Sequence, residues 1–197
     1  MILLLTGPSG VGKTTVVTRL LAAEPRLSFS ISTTTRPPRP GERDGHDYDF
    51  VDDATFDDLV AEGAFVEWAA VHDHRYGTRR SRLTELTDRG RIPLLDIDVQ
   101  GGRQVIDIYG DGLVSVFLFP PSWAELKRRL NARGTDPAAV IARRLANARR
   151  EIAGADRYRY WLVNEDVAET VIRLQAISEP DDNGEVSLAS DVRAGGA

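Results

Sequence analysis

A glycine-rich segment near the beginning of the chain has the residue types and the spacing of a phosphate-binding loop. Residues 7–14 are Gly-Pro-Ser-Gly-Val-Gly-Lys-Thr and fit the pattern G-x-x-x-x-G-K-[ST]. Glycines let backbone N–H groups converge on phosphate oxygens, and a helix N-terminus adds positive potential. Lys13 can reach the β- and γ-phosphates, and the Thr14 hydroxyl can bind Mg²⁺. The pattern predicts an ATP site formed by Gly7, Pro8, Ser9, Gly10, Val11, Gly12, Lys13, Thr14 and Thr15.

The flanking residues predict the elements that such a loop needs. Residues 2–6 form a short apolar run that is typical of a buried strand, and residues 13–23 carry apolar side chains at helical spacing. A glycine-rich turn could match the pattern by accident. A strand before the loop and a helix after it favour the phosphate site.

Two carboxylates lie at the end of a second apolar run, residues 92–97. This run resembles the acidic strand that accompanies phosphate loops. Asp96 and Asp98 are two residues apart and are therefore expected on one face of the sheet. Asp96 is a candidate for holding Mg²⁺ through a water molecule. The alternative is that both acids serve only the solubility of a strand end.

Two arginines lie in a polar, turn-rich stretch, residues 33–50, that is stiffened by prolines. Arg36 and Arg39 each present a planar guanidinium that can bind phosphate oxygens through two hydrogen bonds. Long irregular segments inside compact proteins usually have a function. The alternative is that both side chains belong to a solvated surface.

The composition limits the classes of protein to consider. The 197 residues, 42% of them hydrophobic and 28% charged, are typical of a globular protein with one sizeable core. Cysteine is absent, which excludes disulfides and cysteine-ligated metal. The net charge of −5 argues against nucleic acid and anionic membranes as partners, and no apolar run is long enough to span a bilayer. We expect a cytoplasmic protein and infer no obligate protein partner.

The candidate residues must be positioned by an α/β fold. Apolar runs predict strands at 2–6, 92–97, 113–119 and 160–163, with helical patterns between them. This alternation predicts a parallel sheet flanked by helices. After the turn-rich stretch, Thr55 begins a capping-box pattern for a short helix, and a strand is predicted at residues 65–71.

Residues 122–152 predict two helices. Ser122 and Glu125 form a capping box for the first, which should end at Gly134, and Asp136-Pro137 begins the second. The buried stripe of the second helix is predicted to be Ile141, Leu145, Ala148 and Ile152. Residues 122–150 contain eight basic and two acidic residues, a local cluster that an acidic protein needs for triphosphate chemistry. Residues 179–197 are polar and aperiodic, which predicts a disordered tail.

At this point the sequence resembles the guanylate kinases, from residue 2 to about residue 178. Several motifs in the same order make the resemblance more specific than the loop alone. Besides residues 7–14 they are Ser-Thr-Thr-Thr-Arg-Pro-Pro-Arg-Pro-Gly-Glu at 32–42, Gly-His-Asp-Tyr-Asp-Phe at 45–50, Phe-Val-Glu-Trp-Ala at 65–69, Tyr-Gly-Thr at 76–78, Leu-Asp-Ile-Asp-Val-Gln-Gly at 95–101, Phe-Pro-Pro-Ser at 119–122 and Arg-Gly-Thr at 133–135.

The resemblance implies a P-loop kinase that transfers the γ-phosphoryl group of ATP to GMP or dGMP with Mg²⁺, giving ADP and GDP. It implies one guanylate kinase domain, residues 1–178, with a GMP-binding insertion at about 31–80 and a helical lid at about 123–145. It further implies GMP-phosphate ligands at Arg36, Arg39, Tyr48 and Tyr76, guanine contacts at Ser32, Glu67, Thr78 and Asp98, and catalytic residues at Lys13, Arg133 and Arg144.

Glu67 has a chemical argument of its own. Positions 65, 67, 69 and 71 are Phe, Glu, Ala and Val, so one acid interrupts an apolar strand face. A carboxylate near apolar surface needs a partner. Guanine offers two parallel donors, N1–H and the amino group, and the Thr78 hydroxyl can donate to its O6. The other possible partner is a neighbouring arginine.

Three alternatives remain, and two of them belong to other classes of protein. A non-catalytic scaffold module of the same family would bind a phosphopeptide, but such modules usually have a degraded phosphate loop. A kinase for another nucleoside monophosphate is the closest alternative within enzymes, and a nucleic-acid-binding protein is disfavoured by the net charge. The sequence departs from the family at Asp73, where Gly is usual, and at Arg159, where Asp is usual.

Overall fold

The computed structural model describes residues 1–71, 73–132 and 137–178. These residues form nine strands and seven helices, with single 3₁₀ turns at Gly110–Gly112 and Ala155–Arg157. The strands are β1 (Ile2–Thr6), β2 (Leu27–Phe29), β3 (Thr33–Thr34), β4 (Asp49–Phe50), β5 (Phe65–Val71), β6 (His74–Arg79), β7 (Ile92–Asp96), β8 (Leu113–Phe119) and β9 (Tyr160–Val163). The helices are α1 (Lys13–Ala23), α2 (Asp53–Ala61), α3 (Arg80–Asp88), α4 (Val99–Tyr109), α5 (Trp123–Ala132), α6 (Ala138–Ile152) and α7 (Val167–Ile177).

Five strands form a parallel sheet in the order β2-β7-β1-β8-β9. Every residue of β1 is buried, because a parallel sheet is covered on both faces. Leu3 and Leu5 pack in a cluster with α1 and α7, whereas Leu4 packs on the opposite face with α4. The predicted α/β class is confirmed, and so are the strands at 2–6, 113–119 and 160–163; β7 ends one residue earlier than predicted.

A second sheet has four strands in the order β4-β3-β6-β5. β3 is parallel to β4 and antiparallel to β6, and β5 pairs antiparallel with β6. Phe56 of α2 is fully buried and stacks on Phe65 of β5 with ring centroids 4.7 Å apart, which attaches this helix to the sheet. The turn-rich stretch 33–50, all of it described, contributes the short strands β3 and β4 at its two ends.

Two helix starts differ from the predicted ones, α2 by three residues and α6 by one. The N-cap of α2 is Asp52 rather than Thr55, because the Asp52 carboxylate accepts the Thr55 N–H at 2.8 Å. The N-cap of α6 is Pro137, and the first helical residue is Ala138. Asp52 lies three residues before Thr55 and satisfies a terminal N–H group of α2, and the fixed φ of Pro137 sets the backbone conformation at which the chain enters α6.

The expectation that Asp96 and Asp98 share a strand face is also wrong. Asp96 ends β7, whereas Asp98 is the N-cap of α4 and accepts the Gly101 N–H at 2.8 Å. Both residues nevertheless lie at the carboxyl end of the sheet. In α/β proteins this edge is where ligands bind.

Helices α5 and α6 pack against each other through a small apolar cluster. The Ser122 hydroxyl accepts the Glu125 N–H at 3.1 Å, as the predicted capping box requires. Ala148 is buried, and Ile141 and Leu145 are partly buried against Leu126 and Leu130 of α5. The predicted helix end at Gly134 and the predicted tail at 179–197 lie outside the described residues.

Each helix of the described residues is too short or too polar to cross a bilayer.

Candidate active site

The phosphate loop joins β1 to α1 and ends at Gly12, the N-cap of the helix. Gly12 has a φ of +101°, in the left-handed region that residues with a side chain rarely adopt. A Cβ atom there would also lie 2.8 Å from the Asn164 side chain. The loop is closed by a hydrogen bond from the Val11 N–H to the Pro8 carbonyl at 3.1 Å. The glycine therefore satisfies both the backbone conformation and the packing of the loop.

Two side chains that the sequence did not predict support the phosphate loop, each through a hydrogen bond to the Val11 carbonyl. Asn164 follows β9 directly, is 1% exposed, and donates from Nδ2 to the Val11 carbonyl at 2.8 Å. Its Oδ1 accepts the Thr170 hydroxyl at 3.0 Å. Arg129 of α5 donates to the same Val11 carbonyl at 3.0 Å. The signal that could have identified Asn164 is a polar residue at the carboxyl end of a parallel strand.

Lys13 lies between the loop and the acidic strand. Its Nζ donates to the Gly7 carbonyl at 2.8 Å and lies 3.9 Å from Oδ1 of Asp96. Burial raises the pKa of Asp96, and the Lys13 charge opposes that rise. The structure therefore brings together the lysine and the first of the two predicted acids.

A cavity of about 520 Å³ opens over the phosphate loop. Its walls combine the loop with the end of β7 and with one face of α6. Arg144, one of the predicted catalytic arginines, contributes to the α6 wall; the other, Arg133, lies outside the described residues. Besides the loop, the lining residues with polar side chains are Asp96, Asp98, Gln100, Arg144, Asn147 and Glu151.

A second, smaller cavity of about 140 Å³ lies next to the first. It gathers five of the residues predicted to contact GMP: Ser32, Tyr48, Glu67, Tyr76 and Asp98. The two cavities share four lining residues, which are Val71, Asp96, Ile97 and Asp98. The two cavities therefore adjoin along this shared edge.

Glu67 is 4% exposed, and among the described residues its side chain is hydrogen-bonded to Thr78 rather than to an arginine. The Thr78 hydroxyl donates to Glu67 Oε1 at 2.6 Å. Burial raises the pKa of Glu67 to about 7, the Asp98 charge adds to the rise, and the Thr78 bond opposes it. A hydroxyl has one proton to donate. The Thr78 hydroxyl therefore cannot also donate to guanine O6 while it holds Glu67.

The two predicted phosphate-binding arginines occupy different environments. Arg36 is 8% exposed and donates to Glu42 at 2.8 Å and to the Pro37 carbonyl at 2.8 Å. Its hydrogen bond to Glu42 holds the pKa of Arg36 above its ordinary value. The alternative of a solvated surface is thus wrong for Arg36. Arg39 is exposed, and its backbone N–H donates to the same Glu42 carboxylate at 2.8 Å.

Tyr48 links Arg36 to the smaller cavity. The Arg36 guanidinium lies 5.2 Å from the centroid of the Tyr48 ring, and the Tyr48 ring meets Tyr76 edge-on at 6.1 Å. Cations are attracted to aromatic faces at such distances. Glu42, which holds both Arg36 and the Arg39 backbone, was not singled out from the sequence.

Comparison with known proteins decides the family. The guanylate kinase family model matches residues 1–180. The chain belongs to the guanylate kinase family. The guanylate kinase of Oleidesulfovibrio alaskensis is 51% identical over 176 residues, which cover 89% of this chain and 85% of the relative. The guanylate kinase of Thermobifida fusca is 50% identical over 173 residues, 88% of each chain.

A solved structure supports the same assignment. The crystal structure of guanylate kinase from Anaplasma phagocytophilum superposes with a TM-score of 0.73 at 37% identity, covering 90% of this chain and 83% of that one. The chain is thus a nucleoside monophosphate kinase that phosphorylates GMP with ATP, and the predicted family, enzyme class and function are confirmed. Neither a non-catalytic scaffold nor a kinase for another nucleoside monophosphate agrees with these matches.

Proposed function

We propose that this guanylate kinase binds ATP phosphates in the larger cavity and GMP in the smaller one. The observation that supports this division is the shared edge formed by Val71, Asp96, Ile97 and Asp98. Phosphoryl transfer depends mostly on holding the attacking and leaving oxygens in line and on neutralising charge. Two adjoining cavities, one of them built on a phosphate loop, provide that arrangement.

For base recognition we propose that the Glu67 carboxylate accepts the guanine N1–H and amino group. The Thr78 hydroxyl orients that carboxylate, since its proton is directed at Oε1. Ser32 and Asp98, which line the same cavity, are the remaining proposed guanine contacts. The nucleotide dGMP carries the same base and phosphate and is proposed as an alternative acceptor.

For the GMP phosphate we propose Arg36, Arg39, Tyr48 and Tyr76 as ligands. A guanidinium has five N–H donors, and the hydrogen bonds of Arg36 to Pro37, Glu42 and Tyr76 use three of them. Donors therefore remain for phosphate oxygens. Arg39 is exposed and free of the burial that fixes Arg36, so its side chain can move to the phosphate when GMP binds.

For catalysis we propose that Lys13, Arg144 and Arg133 neutralise charge on the transferring phosphoryl group. Lys13 has three donors, one of which contacts the Gly7 carbonyl. The GMP phosphate is a good nucleophile near neutral pH, so no general base is required. Enclosure by α6 would exclude water and suppress hydrolysis of ATP.

The cofactor Mg²⁺ fits the oxygen donors of the larger cavity. Mg²⁺ prefers oxygen ligands and usually combines one or two protein ligands with substrate phosphates and water. We propose that Thr14 holds it through its hydroxyl and Asp96 through a water molecule; both residues line the cavity. The described residues contain no cluster of three acidic or histidine side chains that could hold the ion alone. When bound, Mg²⁺ would neutralise charge on the β- and γ-phosphates.

We further propose the domain division implied by the resemblance: one domain at 1–178, with a GMP-binding insertion at about 31–80 and a lid at about 123–145. The smaller sheet, β3 to β6, lies within the first range, and Arg144 lies at the end of the second. The cytoplasmic location, the disordered tail, and the absence of nucleic-acid, membrane and obligate protein partners stay predictions.

The base-reading proposal is tested by Glu67→Gln. A neutral amide cannot accept two parallel hydrogen bonds, so kcat/KM for GMP should fall by ~10²-fold or more while the KM for ATP stays unchanged. An ADP-release assay with GMP, dGMP and AMP measures both, with the exposed Glu62→Gln as the matched control. Intact use of GMP by Glu67→Gln, or equal use of AMP and GMP by the wild type, would contradict the proposal.

A further inference from the structure

Gly101 is a buried glycine inside α4 whose backbone conformation does not require glycine. Its φ lies outside the positive range that several other glycines of the described chain adopt. Alanine forms helices better than glycine at such a position. The reason for a glycine must therefore lie in its surroundings rather than in its backbone conformation.

The space beside Gly101 is filled by Glu67. A Cβ atom at position 101 would lie 2.3 Å from Glu67 Oε2 and 3.0 Å from its Cδ. Contacts this short do not occur between a side-chain carbon and a carboxylate, so any residue larger than glycine must displace the carboxylate by roughly 1 Å.

Glu67 has little freedom to move aside. Its side chain is held on the other oxygen by Thr78, which is itself fully buried. The Gly101 N–H is bonded to the Asp98 carboxylate at 2.8 Å, which fixes the first turn of α4 in turn. Helix α4 and strand β6 thus enclose the Glu67 carboxylate between the Gly101 backbone, which has no side chain, and the Thr78 hydroxyl.

We propose that Gly101 is a specificity-determining positioning residue, which sets where the Glu67 carboxylate lies relative to guanine. This inference rests on the proposed guanine-reading role of Glu67. Two parallel hydrogen bonds depend on both oxygens at once, and a shift of ~1 Å can cost ~10²-fold in rate. ATP, bound at the phosphate loop, should be unaffected.

The neighbouring residue offers a matched control. Gly102 is also buried in α4, and a Cβ atom there would lie 2.2 Å from the Tyr158 hydroxyl and 3.2 Å from the Thr6 hydroxyl. The same substitution one position along the same helix therefore displaces Tyr158 rather than Glu67. An effect that both variants share would therefore come from a disturbance of helix α4 as a whole.

The test measures kcat and KM for GMP and AMP, KM for ATP, and Tm for Gly101→Ala and Gly102→Ala. We expect Gly101→Ala to lower Tm through overpacking and to raise the KM for GMP by at least tenfold, with KM for ATP close to wild type. Gly102→Ala should lower Tm and leave the KM for GMP within about threefold of wild type. A wild-type KM for GMP in Gly101→Ala, or a parallel loss of GMP use, ATP use and Tm, would overturn the inference.

A rescue variant keeps the test decisive even when Gly101→Ala does not fold. Glu67→Asp shortens the side chain by one methylene and makes room for the added methyl group. Adding Gly101→Ala to Glu67→Asp should change the KM for GMP by less than threefold, and a tenfold further loss would refute the inference. A different result would show that the base-reading proposal itself is wrong. In that case the single variant Glu67→Gln, which keeps Gly101, would use GMP normally.

Discussion

Asn164 donates a 2.8 Å hydrogen bond from its side-chain amide to the Val11 carbonyl, and so ties the last strand of the parallel sheet to the phosphate loop. The same amide accepts the Thr170 hydroxyl through its oxygen. Because Asn164 is almost completely buried, both bonds form away from water. The loop is thus supported before any nucleotide binds.

Asn164→Ala should destabilise the protein and weaken ATP binding. The Thr170 hydroxyl would lose its bond to the amide, and the Val11 carbonyl would keep only Arg129 as a side-chain donor among the described residues. Each group keeps another partner, since the Thr170 hydroxyl also contacts the Asp166 carbonyl at 2.8 Å, so each lost hydrogen bond should cost about 0.5–1.5 kcal/mol. Thermal denaturation and the KM for ATP measure the two effects. Asn131→Ala, an exposed amide on α5, is the control, and an unchanged Tm and KM in Asn164→Ala would show that the loop needs no such support.

Lys13→Ala should abolish useful turnover while the protein stays folded. Removing a preorganised charge at the transition state typically costs ~10²-fold or more. The chain has just one other lysine, Lys127, which is exposed on α5 and provides the matched variant Lys127→Ala. We expect kcat to fall in the first variant alone, with circular dichroism spectra alike in both. Near-normal turnover without Lys13 would refute its catalytic role.

GMP use should depend on the ionisation of Glu67. Its raised pKa of about 7 means that the free enzyme carries the neutral acid below that pH, and the neutral acid cannot accept two donors. The profile of kcat/KM for GMP, which reports the free enzyme, should fall about tenfold per unit as pH drops below 7. The GMP phosphate also titrates, so the profile of Glu67→Gln serves as the reference. Superimposable profiles would exclude Glu67 as the titrating group.

The raised pKa of Glu67 has the opposite consequence for the stability of the protein, which should fall as pH rises. A carboxyl whose pKa is higher in the folded than in the unfolded protein binds more protons when folded, so stability falls as pH rises from 4.5 to about 7. Glu67→Gln removes this contribution. As pH rises over this range in the absence of GMP, the Tm of Glu67→Gln should therefore increase relative to the Tm of the wild type. A difference in Tm that does not change with pH would contradict the raised pKa.

Glu42→Gln should impair GMP binding through Arg36. The Glu42 carboxylate orients the buried guanidinium with one oxygen and the backbone at Arg39 with the other. An amide can accept with its oxygen but cannot serve both donors, so one phosphate ligand loses its support. We expect the KM for GMP to rise about tenfold with an unchanged KM for ATP, while Glu165→Gln, an exposed carboxylate, behaves as wild type. Equal effects on both nucleotides would indicate general destabilisation.

The sequence predicts the parallel sheet well because its strands are apolar runs with turn residues at their ends. The phosphate loop is equally clear, since this glycine pattern between a strand and a helix is typical of phosphate binding. What the sequence does not predict depends on contacts between distant residues. Asn164 reaches Val11 across 153 positions, and Thr78 reaches Glu67 through strand pairing, so neither partner could be chosen from spacing alone. The predicted N-cap of α2 was wrong because two residues that can accept a backbone N–H, Asp52 and Thr55, lie close together in the sequence.

Helix α5 is tied to the core at the point where the proposed lid begins. Arg129 donates to the carbonyls of Val11 and Asn164, and Leu130 packs within reach of the loop at Gly10. The part of α5 that makes these contacts can move away from the phosphate loop only if they break. These contacts would hold the first part of the proposed lid to the sheet, so α6, which carries Arg144 into the wall of the larger cavity, would be the part of the lid nearest the triphosphate.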